Sequence, residues 1–144
     1  MVYEGIAYWA FITTPNTRFE PKYSVDLVLD KDTAQDLKEK GFSVKFDKEE
    51  GPTISIKRNV NGPNGMVRKA PKLLDKDKNE LDCLVGNGSK VKVQCKPWEI
   101  NRNGQAFKGL ELQAVQVIDL VQYSSGDGDE FDAITDLETE VDEL

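Results

Sequence analysis

The chain has 144 residues and a formal net charge of −7, a length that accommodates one compact domain of ordinary size. It contains no histidine and only two cysteines, Cys83 and Cys95, without a CxxC pair, which argues against general-base catalysis, metal or cofactor sites and a disulfide scaffold, and favours a reducing compartment. No apolar run reaches the length of a membrane span and the N-terminus shows no signal pattern, so we expect a soluble cytoplasmic protein with no membrane partner.

The first part of the chain predicts two strands followed by one short helix. Residues 4–14 and 22–29 are rich in β-branched and aromatic residues and are separated by a turn region with proline and asparagine, which is typical of a β-hairpin. Residues 31–40 contain good helix formers between an aspartate cap and Gly41, and they predict the helix.

The rest of the body predicts strands joined by turns rich in asparagine and glycine. In chain order these are strands at 42–47 and 53–60, an exposed loop at 59–72, a hairpin turn at 75–80, a long strand from about Ser89 and a final strand from about Phe107 to Tyr123. The apolar parity of the final strand shifts between Leu112 and Val115, as expected at a β-bulge. This pattern, with one helix and no βαβ rhythm, predicts a mainly β protein built as a small antiparallel β-barrel.

One strand carries the most informative pattern for function. From Ser89 to Trp98, three valine and cysteine positions alternate with Lys90, Lys92 and Lys96, which share the parity of Trp98. A lysine row that ends in a tryptophan suits a groove that follows a phosphate backbone and stacks a base. The alternative is an ordinary solvated sheet face or a charged edge strand, and this strand alone does not decide between them.

A second basic cluster favours the nucleic-acid interpretation. Residues 51–74 contain no aspartate or glutamate, whereas ordinary solvated faces mix both signs of charge. The cluster consists of Lys57, Arg58, Arg68, Lys69 and Lys72, and Arg102 and Lys108 extend it around the last turn. Among the aromatic residues Trp98 is the main candidate for base stacking, and Tyr8, Trp9 and Tyr23 are weaker ones, because aromatic residues on strands more often belong to the core. Trp9 and Phe11 share one parity, and the sequence leaves open whether that set faces the core.

The C-terminal end differs in character from the body. Nine acidic residues and no basic ones lie between Asp127 and Leu144, so the preceding 126 residues hold 17 acidic against 19 basic residues. We therefore predict a DNA-binding domain at 1–123 and a flexible acidic C-terminal tail at 124–144. Apolar residues recur in the tail at three- and four-residue steps, which favours a partner-binding segment over a purely solvating one; they are Phe131, Ile134, Leu137, Val141 and Leu144.

Several segments together resemble a known family. The stretch GNGSKVKVQCKPW, preceded by DLVLD and followed by FKGLELQAVQVIDLVQY and a glycine-linked acidic tail, is similar to the single-stranded DNA-binding proteins of short-tailed bacteriophages. The resemblance implies an OB-type barrel, with Lys92 and Trp98 at the positions of a basic and an aromatic DNA-contacting residue. It also implies a tail that recruits DNA polymerase and primase–helicase and supports a homodimer. The chain departs from the family in lacking a long insertion after the helix and in ending at Leu144 instead of a phenylalanine.

Three functions remain to be distinguished. The leading hypothesis is a non-catalytic protein that coats and protects single-stranded DNA in phage replication, recombination and repair. The second is a protein-interaction or DNA-mimic module in which the acidic tail is the active part. The third is a metal-dependent nuclease that uses carboxylates such as Asp26 and Asp119 with Mg²⁺, although no spacing in the sequence demonstrates a convergent site.

Overall fold

A computed structural model describes residues 1–121 of the protein, and the elements below belong to that part of the chain. They are, in order, β1 (Val2–Asn16), β2 (Lys22–Val28), α1 (Lys31–Glu39), β3 (Val44–Lys45), β4 (Thr53–Asn59), a 3₁₀ turn (Pro63–Gly65), β5 (Lys72–Leu74), β6 (Ser89–Arg102) and β7 (Gln105–Asp119). The predicted tail, its five partner-binding residues and the proposed boundary at residue 123 lie outside the described residues.

Five of the strands close into a barrel. The sheet has the order β3-β4-β2-β1-β6-β7-β5, and an additional pairing joins β4 to β7. That pairing is parallel and places Lys57 opposite Glu111, while the other pairs of the ring are antiparallel. The protein is therefore mainly β and has an OB-type fold, as the sequence predicted.

The barrel interior follows the period-two pattern of the sequence. Side chains at alternate positions of β2 and β6 are buried and meet those of β4 and β7 in one core, which includes Val25, Leu27, Ile56, Val91, Val93, Cys95 and Leu112. Burial raises the pKa of the Cys95 thiol from 9.0 to about 11, so this cysteine is a protonated core residue at neutral pH.

The helix packs two side chains into the barrel core and is fixed at both ends by its sequence. Asp30 is the N-cap: its carboxylate accepts hydrogen bonds from the Thr33 backbone N–H and hydroxyl at 2.8 and 2.9 Å, which lower the pKa of Asp30. Ala34 and Leu37 are the buried positions of the helix. Gly41 follows with a φ of 98°, which reverses the chain at low cost because glycine has no Cβ.

Register shifts along the long strands change the direction of their side chains, and two of them bear on the candidate residues. In β7 the partner of Gln94 is Ala114 and that of Cys95 is Leu112, so Gln113 is the extra residue and the predicted parity shift is confirmed. In β1 the register shifts between Tyr8 and Phe11, where Trp9 adopts a φ of 52°. The strand predicted at 42–47 shortens to Val44–Lys45, and the final strand ends at Asp119. No helix of residues 1–121 is long and apolar enough to span a membrane.

Candidate nucleic-acid interface

A groove lies on the described surface where β4, β6 and β7 meet. Its volume is about 480 Å³, and we call it the basic groove; it is lined by Lys57, Arg58, Asn59, Arg68, Lys96, Pro97, Trp98 and Glu111. The lining therefore contains four cations and a single carboxylate. This excess of three positive charges creates a local positive potential, even though the whole chain is acidic.

Glu111 organises the two arginines of the basic groove. Its carboxylate lies 3.6 Å from the Arg58 guanidinium and 3.7 Å from that of Arg68. Arg58 Nε also donates to the Lys69 carbonyl at 2.8 Å, and Arg68 donates to the Asn61 carbonyl at 3.2 Å. These contacts hold both guanidinium groups at the groove wall, where their remaining N–H groups can meet phosphate oxygens.

Trp98 is held in place by a glycine on the neighbouring strand. It pairs in register with Gly109 of β7, and a Cβ at Gly109 would lie 2.3 Å from the indole Cζ2 atom. The indole ring thus covers the glycine, an arrangement that fixes its orientation. Because 45% of Trp98 stays exposed, the ring also offers a surface on which a base can stack without first being ordered.

A second groove continues from the basic groove on the other side of Trp98. We call it the side groove; its volume is about 270 Å³, and it is lined by Ser43, Lys45, Thr53, Ser55, Lys57, Trp98, Lys108, Gly109 and Leu110. Lys57 and Trp98 line both grooves, so the two form one track that passes this pair. Lys108 is already engaged, since its Nζ atom donates to the Lys40 carbonyl at 2.8 Å and lies 5.7 Å from the Phe42 ring centroid.

A hairpin arm extends the face that carries Trp98. The arm consists of residues 99–107 at the joined ends of β6 and β7, all of which are exposed. Its turn contains Asn103 and Gly104 with φ values of 52° and 80°, the type I′ geometry that asparagine and glycine favour. Ile100 pairs in register with Phe107 on the Trp98 face, and each is 42% exposed. Arg102, at the tip, shares this face.

Phe107 was missed by the sequence interpretation. Phe107 lies two positions before Gly109, the partner of Trp98, and therefore shares the face of Trp98. That placement depends on the register across the turn. The period-two count from Trp98 through the Asn-Gly turn was the available signal.

The structure does not bring the predicted lysine row together. Only Lys96 reaches the basic groove. Lys90 lies 3.4 Å from the Glu4 carboxylate and pairs in register with Asp119, and Lys92 pairs with Glu4. Lys69 and Lys72 are exposed, but neither side chain lines either groove. The roles of these four lysines in DNA binding stay predictions.

Tyr23 is a correction. It alternates with Val25 and Leu27 on β2, is only 8% exposed and belongs to the core. A buried ring has no free face for a base, so the interpretation of Tyr23 as a stacking residue is wrong. Its alternation with two aliphatic residues was the sign of a core position.

Trp9 lies on a different surface from Trp98. It is 61% exposed, and with Phe11 it faces outward, which answers the parity question that the sequence left open. Its groove has a volume of about 330 Å³, and we call it the apolar groove; it is lined by Trp9, Ala10, Phe11, Thr14, Leu84, Val85 and Asn87. The Trp9 backbone N–H donates to Asn87 Oδ1 at 2.8 Å, which stabilises its left-handed backbone.

The carboxylates considered for metal-dependent hydrolysis do not converge. Asp26 accepts a hydrogen bond from the Ser55 hydroxyl at 2.7 Å, and Asp119 pairs in register with Lys90. Within residues 1–121 no group of three or more histidine, cysteine, aspartate or glutamate side chains is placed to hold a metal ion.

Comparison with solved structures identifies proteins with this architecture. The chain shares its fold with two phage single-stranded DNA-binding proteins. The match to gp2.5 of bacteriophage T7 has a TM-score of 0.62 at 18% identity and covers 88% of this chain and 95% of that one. The match to the protein of bacteriophage Enc34 has a TM-score of 0.59 at 17% identity and covers 87% and 83%.

A structure of the Enc34 protein in complex with single-stranded DNA also matches, with a TM-score of 0.59 at 16% identity over 83% of this chain and 85% of that one. No protein-family model and no curated protein sequence matches this chain. At these identities the likeness establishes the fold, and it agrees with the resemblance seen in the sequence.

Proposed function

We propose that the protein binds single-stranded DNA along the track formed by the basic groove and the side groove, and that it acts by coating the strand without catalysis. The observation that carries this proposal is the position of Trp98, a fixed and half-exposed indole at the junction of two grooves that hold Lys45, Lys57, Lys96 and two arginines. Support also comes from the fold, which is shared with phage proteins that bind single-stranded DNA.

The two parts of the track supply the two interactions that a single strand needs. Cations along the walls neutralise successive phosphates, and this term is independent of base sequence. The Trp98 ring receives an unstacked base, which contributes about 1–3 kcal/mol whatever the base. Bases in a duplex are already stacked on each other and present no free face, so the arrangement favours single strands over duplex.

The proposed biological setting follows from the same activity. A protein that coats exposed strands would melt hairpins and block nucleases during phage replication, recombination and repair in the host cytoplasm. The acidic tail, with apolar residues from Phe131 to Leu144, would contact replication proteins such as DNA polymerase and primase–helicase. Homodimer formation belongs to this proposal as well.

A titration of labelled oligo-dT and of duplex of equal length tests the DNA-binding proposal. We expect tighter binding to oligo-dT and, for four phosphate contacts, a log–log salt slope of about −3 between about 50 and 200 mM salt. Lys96→Ala should lower the slope by about 0.7, whereas Lys76→Ala, an exposed lysine outside both grooves, serves as the matched control.

Other outcomes would point to the other functions. Equal affinity for duplex and single strand, or no dependence on salt, would overturn the proposal. Binding to replication proteins without binding to DNA would favour the interaction or DNA-mimic module. Shortening of the oligonucleotide on addition of Mg²⁺ would favour a nuclease.

A further inference from the structure

The apolar groove has a chemistry that the DNA-binding track does not share. Seven residues line it, and none of them is charged. Trp9, Phe11 and Leu84 expose large apolar surfaces there. Surface of this kind is stabilised by covering it with other apolar groups, and it provides no cation for a phosphate. The groove therefore suits an apolar side chain better than a stretch of nucleic-acid backbone.

The backbone of Trp9 shows that its ring is held outward at a cost. A φ of 52° is unusual for a residue with a bulky side chain, and such conformations persist only where surrounding contacts enforce them. The enforcing contact comes from Asn87, whose side chain accepts the Trp9 N–H at 2.8 Å and which itself lines the groove. The bulge thus aims an aromatic ring at one wall of the groove.

The described chain ends directly beside this groove. The Val121 carbonyl accepts a hydrogen bond from the Gly86 N–H at 2.7 Å, and the Val121 N–H donates to the Ser89 hydroxyl at 2.8 Å. Gly86 lies between Val85 and Asn87, both of which line the groove. Residues 122–144 therefore continue from a point anchored to the groove wall.

We infer that the apolar groove binds this chain's own C-terminal segment at residues 130–137, with the Phe131 ring seated against Trp9 and Leu84. Phe131 is the first large apolar residue of the acidic segment, and Gly126 and Gly128 precede it, so the chain can turn back without steric cost. The inference does not rest on DNA binding, because it concerns a different surface.

Length and volume both permit this occupant. Phe131 lies ten positions after Val121, and ten residues span at most about 33–36 Å when extended and about 16–19 Å as a random chain. A cavity of about 150 Å³ is enough to bind benzene, and the groove of about 330 Å³ holds a phenyl ring with room for a neighbouring aliphatic group. A tether this short gives an effective concentration in the millimolar range, so a weak contact is populated.

Trp9 itself can report the occupant. In a Trp98→Phe background Trp9 is the only tryptophan, and acrylamide quenching measures its access to solvent. We expect truncation after Ser125 and Phe131→Ala each to raise the quenching constant about twofold, since a docked ring covers one face of the indole. Thr139→Ala, a truncation eight positions farther along the chain and outside the apolar pattern, is the control and should change nothing.

A variant of the groove wall tests the site from the other side. Leu84→Asp removes an exposed apolar wall and places a negative charge opposite an acidic segment, so truncation in that background should cause no further rise in quenching. Addition of a peptide of residues 126–144 to the truncated protein should restore the protection of Trp9.

Three outcomes would overturn the inference. The first is quenching that truncation leaves unchanged. The second is protection of Trp9 that disappears on about tenfold dilution, which would assign the groove to the tail of a second copy. The third is a decrease in Trp9 quenching when oligo-dT is added to the truncated protein, combined with no effect of truncation itself. This result would assign the groove to a nucleotide.

Discussion

The two exposed tryptophans stand beside grooves of opposite character. Trp98 adjoins a groove with four cations and one carboxylate, whereas Trp9 adjoins a groove whose lining carries no charge. Both rings are accessible, and both were stacking candidates in the sequence. The difference shows that an exposed aromatic residue does not by itself define a ligand, because the neighbouring charges decide whether a phosphate backbone can lie against it.

The two rings are also positioned by different means. Trp98 lies in a regular strand and rests on Gly109, which leaves room for the indole because it has no Cβ. Trp9 lies in a bulge with a left-handed backbone that costs about 1–3 kcal/mol and is stabilised by the Asn87 side chain. The first arrangement depends on a neighbour being small, and the second depends on a hydrogen bond.

The largest expected effect comes from reversing charges in the basic groove. Lys57→Glu with Lys96→Glu removes two phosphate contacts and adds repulsion, so affinity for oligo-dT should fall about 100-fold or more at low salt. Fluorescence anisotropy of labelled oligo-dT measures the change. Lys31→Glu with Lys76→Glu alters net charge equally at exposed sites outside both grooves and should cost far less, because these side chains make no direct phosphate contact and the charge–charge energy falls with distance. Equal losses in the two proteins would mean that total charge, and not the groove, controls binding.

Exchanging the two tryptophans for alanine compares the grooves directly. Trp98→Ala should weaken binding to oligo-dT by about 1–3 kcal/mol, or about 5- to 150-fold, because a stacking surface is lost. Trp9→Ala should leave that affinity unchanged. Thermal melts beside the binding isotherms check that neither change behaves like a core truncation, which costs about 3–5 kcal/mol of stability. A larger loss of affinity in Trp9→Ala than in Trp98→Ala would reverse the assignment of the two surfaces.

Gly109 offers a way to move Trp98 without changing it. A Cβ at Gly109 would lie 2.3, 2.6 and 2.9 Å from three atoms of the indole, so Gly109→Ala must displace the ring from its position over β7. We expect binding to weaken about fivefold to tenfold, since part of the stacking energy is lost. The same change made in Trp98→Ala should have no additional effect, and a double-mutant cycle measures the coupling. Independent, additive losses would contradict a positioning role for Gly109.

Much of the fold could be predicted because local pattern and global structure agree. The alternation of Val91, Val93 and Cys95 with lysines placed β6 correctly, the Asn-Gly pair predicted the turn at residue 103, and the aspartate cap with Gly41 bounded the helix. The parity shift in the last strand correctly indicated a bulge. These signals depend only on neighbours along the chain.

The site was predicted less completely because it depends on register between distant strands. The pairing of β4 with β7 places Glu111 between Arg58 and Arg68. The basic block at 51–74 gives no sign of this carboxylate, because Glu111 is distant in the sequence. Strand register also pairs Glu4 with Lys92, and Glu4 forms a salt bridge with Lys90. These two lysines therefore lie beside a carboxylate, whereas Lys96 lines the basic groove. Tyr23 was misjudged although its alternation with Val25 and Leu27 indicated a core position. Phe107 was not considered, because its place beside Ile100 depends on the register across the turn.

The smallest expected effect separates two properties of the acidic segment. Its nine carboxylates have the opposite charge to the basic groove and belong to the same chain, so they should compete weakly with DNA, whereas Phe131 should act on the apolar groove. Asp136→Asn with Glu138→Gln and Glu140→Gln should therefore tighten oligo-dT binding about threefold near 10 mM salt, where the Debye length is about 30 Å, and have little effect near 0.15 M, where it is about 8 Å. Quenching of Trp9 should not change in that protein. Phe131→Ala should show the converse, with greater quenching of Trp9 and unaltered DNA affinity. If the neutralised protein binds DNA no better at low salt, the carboxylates do not reach the basic groove. If Phe131→Ala alone tightens DNA binding, the phenyl ring holds the carboxylates over the DNA track, and the two grooves are coupled through the tail.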